Sequence, residues 1–493
     1  MLQSKKKITE KILIVLFAIA VTVFLIILAQ EKFSNKSHSI SNEENPNEYF
    51  HFMQGNIYSE RKEYKDAIRQ YEKAIEVNPK HAEVYYNWGV TLSNMGDNHG
   101  AIDKYRKAVE INPDYSIAYY SWGNALSDLA EHKAAIEKYK KSIEINPKNI
   151  DALNNYGNAL SALGFQKEAI EKYEKANRIN PQDSDTYFNW GVTLSKLGNK
   201  KAAIEKYKKA IEIDPKDESV YNNWGIALEA LGDNEGAEEK YKKVIELNPR
   251  NANAYNNLGA LFNELGDKQG AIEKFKEAIK INPKYAKAYY NWGVALNDLD
   301  DKKGAVEKYE MAIELNPSYA KAYNNLGNAL RALGDKKGAI EKYKKTIVVD
   351  PKFVKAYDNL GLSLYELGDY SNAIHNFKKA IEINPDYANA YLNWGVTLEA
   401  LGEGKSAFEK YKITIKKYEA NLLKDLKLYS NYLYIAEVYA HLKEKENFYK
   451  NFELALKNGI KLDRKRILGE PYTYYSYEER FQNLLKKYSG LKK

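Results

Sequence analysis

The sequence predicts an all-α solenoid of about twelve helix-turn-helix units preceded by one transmembrane helix. Three observations predict it. Prolines fall at 79, 113, 147, 181, 215, 249, 283, 317, 351 and 385, each 34 residues after the last. Ten glycines from Gly89 to Gly395 and ten alanines from Ala101 to Ala407 keep the same spacing. An uncharged run from Ile12 to Ala29 comes before them all. Self-similarity at one fixed period is the signature of stacked repeats, each of which buries its apolar face against its neighbours.

Residues 1–11 form a short basic N-terminal segment and 12–29 the expected transmembrane signal anchor. Eighteen helical residues rise about 27 Å, near the thickness of a bilayer's hydrocarbon core. Lys5, Lys6, Lys7 and Lys11 precede the run, against Lys32 and Lys36 after it. The positive-inside rule then predicts a single-pass membrane protein with a cytoplasmic N-terminus and the repeats on the far side, periplasmic in a Gram-negative bacterium. Residues 30–47 are polar and serve as a linker.

Residues 48–421 hold eleven copies of 34 residues. In one copy Tyr85, Trp88, Gly89 and Leu92 fall on one helical face. A turn follows at Gly96, where glycine can adopt the left-handed conformation that closes a helix. The second helix carries Ala101, Tyr105 and Ala108 on one face and ends at Asn112-Pro113, because proline cannot continue a helix. Residues 422–462 read as a degenerate twelfth copy with an insertion, placing Tyr432, Ile435, Ala436, Tyr439, Phe448, Phe452 and Ala455 at repeat spacing. Residues 463–493 read as a basic, Tyr-rich cap, with Phe481, Leu484, Leu485 and Tyr488 on one face.

The repeat resembles the tetratricopeptide pattern, reading mostly Tyr-x2-Trp-Gly-x2-Leu, then Ala-x3-Tyr, then Pro. The resemblance implies a right-handed superhelix whose first helices line a concave surface. It also implies a non-enzymatic scaffold for protein–protein interaction. The Asn two places before the glycine recurs as Asn87, Asn155, Asn189, Asn223, Asn257, Asn291, Asn325, Asn359 and Asn393, broken only by Ser121. It points away from its own repeat's apolar face, and asparagine is a mediocre helix former. The column resembles the asparagine ladder in the superhelix of O-linked N-acetylglucosamine transferase. That resemblance implies peptide-backbone binding, since an amide both donates and accepts. Val90, Val192, Ile226, Val294 and Val396 lie beside it and would make the groove partly apolar. Three readings of the column stay open: peptide contact, hydrogen bonding to the neighbouring repeat, and copying without need.

Other chemistry is not indicated. The seven histidines show no metal-ligand spacing, cysteine is absent, and no phosphate loop or nucleophile elbow occurs, so neither cofactor nor metal nor catalytic residue is expected. Isolated histidines in repeat turns read as solvated, the six tryptophans as core, and Glu341 with Lys345 as an exposed ion pair. The net charge of +8 sits at the two ends, residues 48–421 being balanced, so no nucleic-acid groove is expected. Its densest cluster is Arg464, Lys465 and Arg466. The column one residue before the ladder contains neither Lys nor Arg, which excludes a clamp for a C-terminal carboxylate; it reads Tyr, Asn, Phe or Leu, with one Asp at 358. The expected partner is a protein or peptide. Alternatives are recruitment of substrate to a separate modifying enzyme such as a glycosyltransferase, and a place in a surface-polymer assembly or export machine.

Overall fold

The computed structural model describes residues 46–425, 428–460 and 472–488. The chain divides into two compact units, one ending at Pro215 and the other beginning at Lys216, each a succession of antiparallel helix pairs on the 34-residue period. The first pair, Pro46–Glu60 and Tyr64–Val77, begins two residues inside the expected linker. Ala82–Asn94 and Asn98–Ile111 are typical of the copies that follow.

Local chemistry sets the helix ends. The Asp97 side chain accepts a bond from the Gly100 N–H and caps the second helix; Asp233, Asp267, Asp301 and Asp335 repeat the device. At the far end Asn112 leaves helical geometry for an extended one, as the following proline requires. The turn between the helices takes a left-handed residue in each of these copies. Gly96 sits at φ 85° and Gly334 at φ 91°, but Ala130 and Asp300 hold the same position at φ 59° and 67°. A Cβ in that conformation costs about 1–2 kcal/mol, partly offset by the chain entropy that glycine loses on folding. Ala130→Gly is therefore expected to stabilise its repeat by up to about 1 kcal/mol. Slower amide hydrogen exchange in the two flanking helices would register the gain, and faster exchange would contradict it.

Packing follows the small-and-large alternation. Ala101 and Ala108 are fully buried and Tyr105 is 2% exposed. A Cβ placed on Gly89 would come within 2.6 Å of the Tyr105 ring, so the glycine exists to admit that ring. The same glycine–aromatic contact recurs at Gly225 with Tyr241, Gly259 with Phe275 and Gly327 with Tyr343. The first helices of successive repeats touch one another as well as their partners, whereas the second helices do not do so to a comparable extent. Within each unit the first helices thus form the inner layer.

The tryptophans pack in or against the core, as at Trp88, Trp122, Trp190, Trp292 and Trp394, but are less enclosed than a fully buried core residue. Trp88 is buried, but the other five are only half-buried. A lysine sixteen residues further on covers each indole face, as with Lys104 at 3.5 Å from Trp88, Lys206 at 3.3 Å from Trp190 and Lys410 at 4.0 Å from Trp394. Burial of their ammonium groups lowers the pKa of Lys104, Lys138 and Lys206. Glu341 is also corrected: its partner is the adjacent Lys342 at 2.9 Å, not Lys345.

Past the last regular copy, the helix Gly404–Lys424 runs 21 residues, longer than any other second helix among the described residues. Ser430–His441 and Lys445–Lys457 then form one further pair. Glu479–Tyr488 closes the end: Phe481 is fully buried and Leu485 nearly so, in a cluster with Phe448, Phe452, Tyr472 and Tyr475, against which Leu484 and Tyr488 also pack. Arg464, Lys465 and Arg466 lie outside the described residues.

The membrane-spanning part of the expected fold is corrected. No helix among the described residues is long and apolar enough to cross a membrane. Even the 21-residue helix, long enough in principle, carries eight charged residues, because one face of each repeat helix meets water. Residues 12–29 lie outside the described residues. Neither the single-pass architecture nor the cytoplasmic-to-extracytoplasmic placement is supported, and the fold stands as an all-α repeat array.

Candidate functional site

All nine ladder asparagines lie on first helices and are half-buried. Seven of them donate Nδ2 to the preceding repeat. Asn257, Asn291 and Asn359 reach the Oδ1 atoms of Asn222, Asn256 and Asn324 at 2.9, 2.9 and 3.0 Å. Asn325 reaches the Tyr290 hydroxyl at 3.1 Å and Asn393 the Asp358 carboxylate at 2.8 Å. Each of these partners stands 35 residues earlier, immediately before the preceding ladder position. Asn87 and Asn155 use an acceptor four residues further along that helix, Asn56 at 3.0 Å and Asn124 at 2.9 Å, and Asn155 also reaches the Tyr120 hydroxyl, 35 residues earlier, at 3.3 Å. Asn223 instead turns to its own backbone, the Ser219 carbonyl at 2.9 Å. Asn189 makes no side-chain hydrogen bond among the described residues, and its counterpart Asn154 is engaged with Asp183 and Thr186. Hydrogen bonding between repeats is therefore a real property of the column.

The bonds join into chains where two asparagines are adjacent. Asn359 donates to Asn324, which donates to Asn325 at 3.3 Å, which donates to Tyr290. Donor and acceptor polarise one another along such a chain, and each bond ties one repeat to the next. At least one N–H of each of seven ladder amides is thus engaged by the fold. The Oδ1 atoms of Asn359 and Asn393 accept from no described donor.

Among the neighbours expected to give the groove apolar character, Val90, Val294 and Val396 pack against buried clusters. Val192 is half-buried, and Ile226 is the most open at 42% exposure.

The second unit contains a cavity of about 610 Å³ on this inner layer. Asn325, Asn359 and Asn393 line it, with Phe353, Leu362 and Leu392 as apolar wall. Tyr387, Tyr418 and Tyr434 form an aromatic side, the last two stacked at 5.2 Å between ring centres. Lys321 and Lys355, both exposed, and Glu437 complete the charged lining with Asp358. Asp358 is 3% exposed and takes bonds from Asn393 at 2.8 Å and the Tyr387 hydroxyl at 3.2 Å. Burial raises its carboxyl to about 6, against these two bonds and the charge of Arg331, which pull the other way. Burial and the nearby carboxylate together push the Tyr387 phenol well above its ordinary range.

Sequence reasoning missed the importance of Asp358, although the signal was present: it is the only ionisable group besides tyrosine in its column. The stacked pair Tyr418 and Tyr434 was not legible, because both belong to the irregular end of the array. Histidines also depart from expectation, His81 pairing with the buried Glu48 and His441 with Glu399 at 3.1 Å. Among the described residues no group of three or more His, Asp or Glu side chains could hold a metal ion.

Comparison with known proteins agrees with the repeat geometry. A family profile described as "TPR repeat" matches residues 55–96, 123–164, 157–198, 196–232, 295–334, 327–368 and 361–402. Two described as "Tetratricopeptide repeat" match residues 222–286 and 82–115. No curated protein matches the chain. Among solved structures it is similar to MamA, at 36% identity over 33% of this chain and 96% of that one, with a TM-score of 0.31. It is also similar to YrrB, titled a TPR protein with an unusual peptide-binding site, at 28% identity over 37% of this chain and 95% of that one, TM-score 0.31. The Cut9–Hcn1 tetramer of APC/C matches 89% of this chain and 96% of its own at 15% identity, TM-score 0.42. With profiles covering more than half of its length and a helix pair in each matched period, the chain belongs to the tetratricopeptide-repeat family, whose fold serves protein–protein interaction.

Proposed function

We propose that the protein is a non-enzymatic scaffold that binds an extended polypeptide segment along its inner helix layer, with a principal seat in the cavity of the second unit. The observation that carries this is the cavity's lining by three successive ladder amides, Asn325, Asn359 and Asn393. Their donors hold the repeats together, and the open acceptors of Asn359 and Asn393 match the N–H groups of an extended chain. A cavity of this volume lies within the roughly 300–1,000 Å³ typical of ligand sites.

The test is capture of unstructured peptides by the purified full chain, before and after the combined change Asn325→Ala, Asn359→Ala and Asn393→Ala. Each backbone hydrogen bond is worth about 0.5–1.5 kcal/mol, so affinity is expected to fall at least about tenfold. Because the change also removes inter-repeat bonds, affinity is compared at a temperature where circular dichroism shows both proteins fully helical. A helical variant with undiminished capture would overturn the assignment.

A further inference from the structure

Asp358 does a task that needs no charge. One repeat earlier, Asn324 accepts the same inter-repeat bond from Asn359 at 3.0 Å that Asp358 accepts from Asn393 at 2.8 Å. A neutral amide therefore suffices for the bridge, and the other copies place Tyr, Asn, Phe or Leu in this column. Burying a carboxylate is costly unless a cation or a full set of donors meets it. Here two neutral donors meet it, Asn393 and Tyr387, whereas an ionised carboxylate offers about four acceptor positions. No described lysine or arginine forms an ion pair with it. Arg331, whose charge acts on it, is directed to Glu366 at 3.8 Å.

The rest of the wall suits a positive guest. Tyr387, Tyr418 and Tyr434 supply aromatic surface, and Glu437 adds a second carboxylate. Aromatic faces attract ammonium and guanidinium groups, and do so more strongly away from water. The two lysines of the lining, Lys321 and Lys355, are exposed, whereas Asp358 is almost fully buried. Asp358 is thus the most buried of the charged groups in the lining.

We propose that this cavity is a specificity pocket for a lysine or arginine side chain of the bound segment, with Asp358 as its counter-charge; the proposal rests on the groove reading above. The segment's backbone lies along Asn359 and Asn393, and one basic side chain turns in beside the tyrosines to meet the carboxylate. Burial holds the Asp358 carboxyl above its ordinary value, and a bound cation would draw it down.

The experiment uses the full chain and fluorescent peptides of about ten residues, built from Ala and Ser with a single central Arg, Lys, norleucine or Glu. Anisotropy at pH 7.5 is expected to show the Arg and Lys peptides binding about tenfold or more tightly than norleucine, with Glu weakest. Asp358→Asn keeps the bridging acceptor, and should bring Arg and Lys down to the level of norleucine measured on the same variant. Equal affinity for Arg and norleucine, or a preference that survives Asp358→Asn, overturns the pocket. If only the pocket is wrong, all four peptides bind alike and all weaken in the triple Asn→Ala protein. If the groove reading is wrong, no peptide binds, or binding ignores the triple change, and both proposals fall.

Discussion

Asp358→Asn is expected to stabilise the repeats around residue 358 at pH 7.5, by up to about 2–3 kcal/mol, and to have little effect near pH 4. The Asp358 carboxyl is raised from 3.8 to about 6 in the folded chain. The folded state therefore holds this proton more tightly than the unfolded state does. The group's favourable contribution is complete below pH 3.8, declines as pH rises through about 6, and is absent above it. Asparagine carries no such penalty and still offers Asn393 an acceptor, as Asn324 does for Asn359. Thermal unfolding, with hydrogen exchange of the helices Val354–Tyr365 and Ala388–Ala400, should show the variant ahead at pH 7.5 and level near pH 4. A variant less stable than the parent at pH 7.5 would mean that the carboxylate strengthens the array instead of straining it.

Tyr343→Ala is expected to cost about 3–5 kcal/mol locally, the usual penalty for emptying a large aromatic site. Tyr343 is fully buried and its hydroxyl donates to Asn328 at 2.8 Å, so the ring is pinned at both ends. Gly327 faces that ring, and a Cβ there would lie 2.6 Å from it. Gly327→Ala is accordingly expected to destabilise by about 1–3 kcal/mol through overpacking, despite alanine's advantage of about 1 kcal/mol within a helix. In the Tyr343→Ala background the clash is gone and that advantage remains, so the same Gly327→Ala change should become stabilising. Hydrogen exchange of Ala320–Ala332 and Lys336–Val349 reads both signs. Gly327→Ala having one sign in both backgrounds would refute ring accommodation as the reason for the glycine.

Much of the architecture was legible because the repeat enforces one local solution many times. Proline ends the second helix, glycine or a tolerated Ala130 or Asp300 makes the turn, and the first-helix glycine meets the aromatic of its own copy. These are short-range consequences of backbone sterics and side-chain volume, visible at any single position and multiplied by the period. The tryptophans were legible only in part: helical spacing shows which face a residue takes, but not that a lysine sixteen residues later will cover it.

The ladder lies between those cases. Its register and its place on the first helices could be read from the chain, but the destination of each amide could not. Asn257 and Asn393 occupy equivalent positions, yet one meets an amide and the other a carboxylate, because the partner belongs to the preceding repeat. The cavity is further removed still. It joins Asn325 to Tyr434, residues more than a hundred positions apart, and two of its three tyrosines, Tyr418 and Tyr434, come from the part of the chain where the period lapses. By itself the sequence determined the period, the helix pairs, their caps and the inner placement of the asparagines. Only the tertiary structure decided which amides are held by the neighbouring repeat and that Asp358 is buried beside the tyrosines of a cavity, because stacking separates partners in sequence that it joins in space.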